Sequence, residues 1–213
     1  MGARARGFSL VETIVAITVL TVAITGPIYL AYLGIRASRD AKNELVATQL
    51  AAEALEAIQA RRNSIAATTD VTTNTWMSEM LASPAGTCDT ANGCVVDITQ
   101  KDMSLGIISA NAIVECPNTA CITISGSAKD YGRMYYSAAS KFYRQGNFTP
   151  GGTYQRTPYR RIVRMNYVDA NGNPTTTATD QVRVTATVTY ERPNGFLGSV
   201  SISQDLYNWF PRL

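Results

Sequence analysis

Near its N-terminus the chain reads Gly7-Phe8-Ser9-Leu10-Val11-Glu12, and an apolar run from Thr13 to Ile35 follows directly. This run contains no charged residue, and about 20 apolar residues are enough for a helix to cross a bilayer. The leader before it carries Arg4 and Arg6, which favour retention on the cytoplasmic side. The sequence therefore predicts a single membrane-spanning helix, with the rest of the chain outside the cytoplasm.

A cleaved secretory signal and an ordinary membrane anchor are the alternatives for this run. A secretory signal has a shorter apolar core, and Glu12 is unusual for either class. A carboxylate in an apolar span costs roughly 2.5–3.5 kcal/mol at the membrane centre and less near an end. Cutting the chain after Gly7 would give Phe8 an α-amino group at the depth of Glu12. Between neighbouring subunits, these opposite charges can neutralise each other and fix the register.

The string Gly7–Glu12 ahead of an apolar helix resembles the class III signal of type IV pilins and type II secretion pseudopilins. The resemblance implies that a prepilin peptidase cuts after Gly7 and methylates Phe8, and that Glu12 serves in assembly. The implied partners are that peptidase, other pilin or pseudopilin subunits, an inner-membrane assembly platform, and membrane lipid before assembly. The implied location is the inner membrane, followed by a pilus filament or a periplasmic pseudopilus.

Gly26 and Pro27 interrupt the apolar run. Proline removes one helix hydrogen bond and clashes with the preceding turn, so a kink or local melting is expected. A tolerated membrane proline is the simpler interpretation. The resemblance implies local unwinding of this part of the helix in the assembled filament, which makes Gly26 and Pro27 a predicted hinge.

Residues 36–62 are predicted to continue as an amphipathic helix, with Val46, Leu50, Ala54 and Ile58 spaced four apart. This apolar stripe is expected to pack on the protein's own head. The segment Gln49–Ile58 also resembles the corresponding stretch of minor pilins and minor pseudopilins. The predicted organisation is a leader (1–7), a transmembrane and assembly helix (8–35), an amphipathic helix (36–62) and a globular β-rich head (63–213).

Strand-like alternation is clearest near the C-terminus of the head, and the segment from Gly146 to Pro158 is predicted to be an exposed loop. Val182, Val184, Ala186, Val188 and Tyr190 alternate with polar residues, which is typical of a half-buried antiparallel strand. The other predicted elements are a threonine-rich loop (Thr68–Thr75), a short helix (Trp76–Ala82), and strands at Cys94–Thr99, Ala112–Glu115, Cys121–Ser125, Arg161–Tyr167 and Gly198–Gln204. A long helix on an antiparallel sheet gives a pilin-like α+β fold.

The composition argues against several classes of function. The chain has no histidine and a net charge of only +3, and no carboxylate pair, phosphate loop or nucleophile elbow is evident. No enzyme activity, cofactor or nucleic-acid partner is therefore expected. The spacing of the cysteine pairs Cys88/Cys94 and Cys116/Cys121 fits zinc poorly and favours local disulfides in an oxidising compartment. Sequence alone leaves three pairings open, with free thiols as the alternative.

Three groups of head residues are candidates for binding. Asp169, Asn171 and Asn173 alternate oxygen ligands as in a calcium loop, but a closing glutamate is missing and a turn is the preferred interpretation. The aromatic residues are interpreted as core pairs, with an adhesive surface as the alternative: Tyr135, Tyr136, Phe142 and Tyr143. The arginines of the third group are interpreted as part of a solvated strand rather than a DNA contact: Arg160, Arg161 and Arg164.

These features predict a structural subunit of a pilus-like filament, more specifically a minor pilin. A minor pseudopilin of a type II secretion system is the nearest alternative. A single-pass anchored binding module that never polymerises is the alternative from a different class.

Overall fold

The computed structural model describes residues 9–68, 88, 93–100, 112–116, 132–146, 151–177, 179–192 and 195–207, with helix side chains described up to Ile65. The chain divides into two compact units, Met1–Asn43 and Glu44–Leu213. The predicted loop after Thr68, the helix Trp76–Ala82 and the strand Cys121–Ser125 lie outside the described residues.

Helix α1 runs from Leu10 to Thr68 and belongs to both units. It passes through Gly26 and Pro27 as continuous α-helix. The sequence predicts an end at residue 62, and the helix continues six residues further. Ile65 explains part of this difference, because it lies seven residues after Ile58 on the same face and is also buried.

The part of α1 in the second unit packs on the sheet through a stripe of alanine, leucine and isoleucine side chains. The buried members of the stripe are Ala47, Leu50, Ala51, Ala54, Leu55 and Ile58. They join one core with buried residues of the sheet, including Val163, Met165 and Val184. The amphipathic pattern predicted from Leu50, Ala54 and Ile58 is therefore the helix face that covers the core.

Eight antiparallel strands form the sheet of the head. They are β1 (Cys94–Val96), β2 (Ile113–Glu115), β3 (Arg133–Ser137), β4 (Tyr143–Arg144), β5 (Tyr154–Val168), β6 (Pro174–Thr175), β7 (Gln181–Glu191) and β8 (Leu197–Tyr207). Strand β5 is central, since it pairs with β1, β3, β6 and β7. Strand β8 extends the sheet beyond β7. The structure thus confirms a long helix packed on an antiparallel sheet.

The predicted exposed loop up to Pro158 is wrong from Tyr154 onward, because β5 begins there. Residues 154–156 pair with β3 but lie largely exposed, so they lack the apolar alternation that identifies a strand. Pro158 lies where the register between β3 and β5 shifts, since Arg133 pairs with Arg160 but Tyr135 pairs with Arg156. A bulge of this kind accommodates a residue that has no backbone N–H.

Strand β7 shows the predicted alternation, with every second side chain from Val182 to Tyr190 buried. The inward Val200 and Ile202 of β8 pack against the same core. Gly198 lies opposite Tyr190, and a Cβ atom at Gly198 would fall 2.4 Å from Cζ of the tyrosine ring. Glycine is therefore required there, because the ring covers the backbone of β8.

Candidate functional site

The first candidate site is the part of α1 in the first unit. Its apolar side chains are exposed on all sides of the helix, with Leu10 and Val22 each 74% accessible. This helix is long and apolar enough to cross a membrane. A helix that is apolar all round needs a nonpolar environment from lipid or from other helices. The apolar part of α1 therefore fits a membrane anchor.

Glu12 is the acidic residue in the first turn of this helix and is exposed. Ser9 and Glu12 have the spacing of a capping box, yet no hydrogen bond joins their side chains to each other's backbone among the described contacts. Glu12 likewise forms no ion pair with any described residue. Its carboxylate is thus available to a group outside the described part of the chain. Gly7 and Phe8, the predicted cleavage and methylation residues, lie outside the described residues.

The threonines of the anchor satisfy their own hydroxyl donors. Thr13, Thr18, Thr21 and Thr25 each donate to a helix carbonyl three or four residues earlier, at 2.8–3.2 Å. In hydrocarbon an unpaired hydroxyl is costly, and this back-bonding removes that cost. These polar residues are therefore compatible with a membrane span.

The predicted hinge, Gly26 and Pro27, lies within helix α1. Pro27 has no N–H to donate to the carbonyl of Ala23, so one rung of the helix ladder is missing where Thr25 bonds back to Val22. The backbone nevertheless remains helical in the isolated chain. A hinge at Gly26 and Pro27 stays a prediction about the assembled state.

The second candidate site lies inside the head and centres on Arg161 of β5, whose side chain is 1% exposed. Its Nη1 donates to the Leu50 carbonyl at 2.9 Å and to Glu53 Oε2 at 2.8 Å, both on α1. Its Nη2 donates to the Val96 carbonyl on β1 at 2.7 Å. One guanidinium therefore ties the helix to two strands of the sheet.

Gln145 completes this arrangement. Arg161 Nε donates to Gln145 Oε1 at 2.7 Å, and Gln145 Nε2 donates back to the Arg161 carbonyl at 3.0 Å. Burial lowers the pKa of Arg161, while the nearby Glu53 carboxylate raises it again. Because the ordinary pKa of arginine lies far above neutral pH, the guanidinium stays charged there. The geometry describes a buried structural charge held entirely by the head itself.

The interpretation of Arg160 and Arg161 as solvated strand residues is wrong, since both are buried. Arg133 is a third buried arginine, and its Nη1 donates to the Thr157 carbonyl and to Glu191 Oε1. The partners of Arg161 come from α1, β1 and the segment after β4, far apart in sequence. A local pattern of charges therefore could not show that they converge on one guanidinium.

The described cysteines form disulfides. Cys88 bonds to Cys94, with their Cα atoms 5.2 Å apart. Cys116 is also disulfide-bonded, and Cys121 lies outside the described residues. Met165 N donates to the Cys88 carbonyl at 3.1 Å, so Cys88 is joined to the central strand β5.

The calcium candidate is a turn that the chain closes with its own atoms. Asp169 Oδ1 accepts hydrogen bonds from the backbone N–H groups of Asn171 at 2.9 Å and Asn173 at 2.8 Å. These bonds, the one from Asn173 foremost, lower the pKa of Asp169. Arg183 Nη1 donates to the Gly172 carbonyl and ties the turn to β7. Asp169 therefore acts as a turn residue, and the described residues contain no cluster of three or more acidic or cysteine side chains suited to a metal.

The aromatic candidates separate into two environments. Tyr136 and Tyr143 are paired across β3 and β4, with ring centroids 5.2 Å apart, and Tyr143 packs against the core. Phe142 is exposed at the hairpin end, beside Lys141 at a φ of 63°. The cross-strand interpretation thus holds for the tyrosine pair, while Phe142 remains open to solvent.

The structure thus combines an α+β head with an exposed apolar helix that fits a membrane anchor. The prokaryotic N-terminal methylation motif matches residues 2–26 of this chain. The match covers the N-terminal motif alone and supports a relation to the type IV pilins and pseudopilins. No curated protein and no solved structure matches the chain.

Proposed function

We propose that this chain is a structural subunit of a type IV pilus-like filament. A prepilin peptidase cuts it after Gly7 and methylates the new N-terminus at Phe8, and the N-terminal helix then joins the helices of neighbouring subunits. Such a subunit needs the inner-membrane assembly platform and other pilins as partners. The sequence of Gln49–Ile58 favours a minor pilin within this class.

The observation that carries this proposal is the exposed apolar helix behind the methylation motif, in which Glu12 forms no ion pair with any described residue. When many such helices pack together, their apolar side chains contact one another instead of lipid or water. The α-amino group of a neighbouring Phe8 supplies a cation for Glu12, which has no cationic partner among the described residues of its own chain. This charge pairing then fixes the axial position of each incoming subunit relative to its neighbour.

Mass spectrometry of the mature N-terminus tests the processing step. We expect a chain that begins at N-methylated Phe8, and we expect Gly7→Val to retain the leader. Ala3→Val is the matched control, since it changes the leader away from the cleaved bond. An intact Met1 in the wild type, or a cut after the apolar run, would rule out prepilin processing.

A minor pseudopilin has the same helix chemistry and differs in where its fibre lies. Immunogold labelling of the tagged head separates the two assignments. Labelled filaments outside the cell support a pilus, whereas label confined to the periplasm together with a secretion defect supports a pseudopilus. A processed chain that never enters a filament would instead support the anchored binding module.

A further inference from the structure

The polar side chains of the apolar part of α1 lie on one face of the helix. Between Ile14 and Arg39, every threonine, tyrosine and arginine follows the previous one at a spacing of three or four residues. At about 100° per residue, this spacing places all of them within an arc of about 80° on the helix surface. Together they form a polar stripe: Thr18, Thr21, Thr25, Tyr29, Tyr32, Arg36 and Arg39. This face of the anchor therefore differs chemically from the rest of its surface.

The end of the polar stripe farthest from the leader has donors that the described chain leaves unused. The threonine hydroxyls are already bonded to helix carbonyls. Tyr32, by contrast, is 58% accessible, and its hydroxyl has no partner among the described residues. The same holds for the guanidinium groups of Arg36 and Arg39. Asp40 follows Arg36 by four residues, but its Oδ1 accepts no hydrogen bond from any described residue. One phenol and two cations are therefore available to a group outside this part of the chain.

The position of these donors along the helix matches a membrane boundary. The hydrocarbon core of a bilayer is about 30 Å thick, so about 20 helical residues cross it. Counted from Glu12, the acid that precedes the uncharged run, this length ends near Tyr32. Tyrosine is typical of the boundary between hydrocarbon and headgroups. Arg36 and Arg39 lie about 6 and 10 Å further along the axis, at the level of the headgroups.

Membrane insertion alone does not account for two arginines at this place. Arginine and lysine favour the cytoplasmic side of a span, and Arg36 and Arg39 lie at the end away from the leader. At a spacing of three residues their Cβ atoms are about 5–6 Å apart, so both guanidinium groups reach one anion. Guanidinium presents paired N–H donors in a plane, which matches the oxygens of a phosphate. The charge and shape of this end are thus complementary to a phosphate group.

We propose that Tyr32, Arg36 and Arg39 form a binding site for the headgroup of an anionic phospholipid in the leaflet on the head side. The two guanidinium groups donate to the phosphate, and the Tyr32 hydroxyl donates to an ester oxygen one helix turn deeper. The acyl chains lie along the apolar flanks of α1. A zwitterionic headgroup carries a cation that the arginines repel, so the site selects lipids by net charge. The inference goes beyond the proposed function, since it requires neither cleavage after Gly7 nor filament assembly.

Lipid retention by the full-length chain tests this site. The chain is placed in nanodiscs of equal parts phosphatidylglycerol and phosphatidylcholine, and native mass spectrometry counts the lipids that stay bound on release. We expect phosphatidylglycerol to be retained in excess. Arg36→Gln/Arg39→Gln should reduce this excess at least about fivefold, because two cations at the headgroup level are lost. The leader arginines are present in every variant, so the difference reports the polar stripe.

A relocated pair of arginines is the matched control. Adding Ala37→Arg and Ala41→Arg to Arg36→Gln/Arg39→Gln restores the net charge at nearly the same depth, at exposed positions of another face. There Asp40 and Glu44, each three residues further on, compete for the new cations. The excess should therefore stay as low as in the neutral variant. Tyr32→Phe should lower it about twofold through the lost hydroxyl, whereas Tyr29→Phe, one turn deeper, should leave it unchanged.

Three results would overturn the proposal. The first is an unchanged excess in Arg36→Gln/Arg39→Gln. The second is a wild-type excess in the relocated variant, which would show that any nearby cation suffices. The third is a wild-type chain that retains no anionic lipid and instead forms dimers that Arg36→Gln/Arg39→Gln abolishes, because the polar stripe would then contact a second helix. Gly7→Val should retain the same lipid as the wild type, so failure of this site and failure of processing are distinguishable.

Discussion

The two units of this protein treat charge and apolar surface in opposite ways. In the described part of the first unit, apolar side chains face outward, and Glu12 stands among them without a partner. In the second unit most of the described apolar side chains form a buried core, and Arg133 and Arg161 are among the largest fully buried side chains. Burial of Arg161 is tolerated there because its guanidinium donates four hydrogen bonds to atoms of the same unit.

The difference shows that one physical rule governs both units. A charge removed from water needs a compensating partner, and apolar surface needs a dry contact. The head meets both requirements with its own residues. The described residues of the N-terminal helix meet neither requirement, and under the proposed function lipid and then neighbouring subunits supply both.

The strongest test of this difference removes the carboxylate of Glu12, which has no partner among the described residues. Glu12→Ala should leave cleavage after Gly7 and the fold of the head unchanged, because Glu12 makes no described contact. Incorporation into filaments should fall at least about tenfold, equivalent to a loss of about 1.4 kcal/mol per subunit. The measurement is the ratio of tagged subunit in sheared filaments to that in membranes.

Glu56→Ala is the control for this experiment, since Glu56 is an exposed acid on the same helix but in the head unit. Its incorporation should equal that of the wild type. Filament yield from Glu12→Ala at the wild-type level would contradict the charge-pairing argument.

Removing the guanidinium of Arg161, whose partners lie inside the head, should instead destabilise the head. Arg161→Met leaves Glu53 without its ion pair and deprives Gln145 and two buried carbonyls of a donor. We expect a loss of about 3–5 kcal/mol in the free energy of unfolding, because one partner of a buried pair is removed. Urea unfolding of the purified full-length chain in detergent, followed by near-ultraviolet circular dichroism, measures it.

Arg183→Met is the matched control, because Arg183 also pairs with an acid but lies at the surface. Its effect should be several times smaller. The double variant Arg161→Met/Glu53→Gln should recover part of the loss, since it no longer leaves an unpaired carboxylate. Equal losses for Arg161→Met and Arg183→Met would show that burial of the guanidinium does not matter.

The sequence was sufficient for the elements whose signal is local. The apolar run, the stripe through Leu50 and Ile58, and the alternation of β7 each follow from side-chain periodicity, and each appears in the structure. The start of β5 at Tyr154 was missed because its first residues are exposed, so pairing with β3 rather than an apolar pattern makes them a strand.

The site inside the head could not be read from sequence for a related reason. Arg161 shares the inward face of β5 with Val163 and Met165, so strand alternation alone points to burial, but the partners of its charge are not visible in that pattern. Only tertiary packing brings Leu50, Glu53 and Val96 around it. Glu12 was identifiable because its surroundings, an uncharged run and a preceding glycine, are contiguous in the chain. Contiguous environments are readable from sequence, whereas assembled ones require the fold.

The smallest expected effect concerns a charge pair at the surface of the head. Hydrogen bonds from Arg183 lower the pKa of Asp205, and Gln181 Nε2 donates to the same carboxylate at 3.0 Å. A lowered folded-state pKa gives a stabilisation that is complete above the unfolded-state pKa, near 3.9, and disappears as pH falls through the folded-state value.

Asp205→Asn should therefore reduce the free energy of unfolding slightly at pH 7 and have no effect at pH values below the folded-state pKa. Urea unfolding at pH 7, 5, 4 and about 2.5 follows this difference, with Glu56→Gln as the exposed control. A difference between Asp205→Asn and the wild type that stayed constant across this range would mean that Asp205 stabilises the head through packing, and that its pairing with Arg183 is incidental.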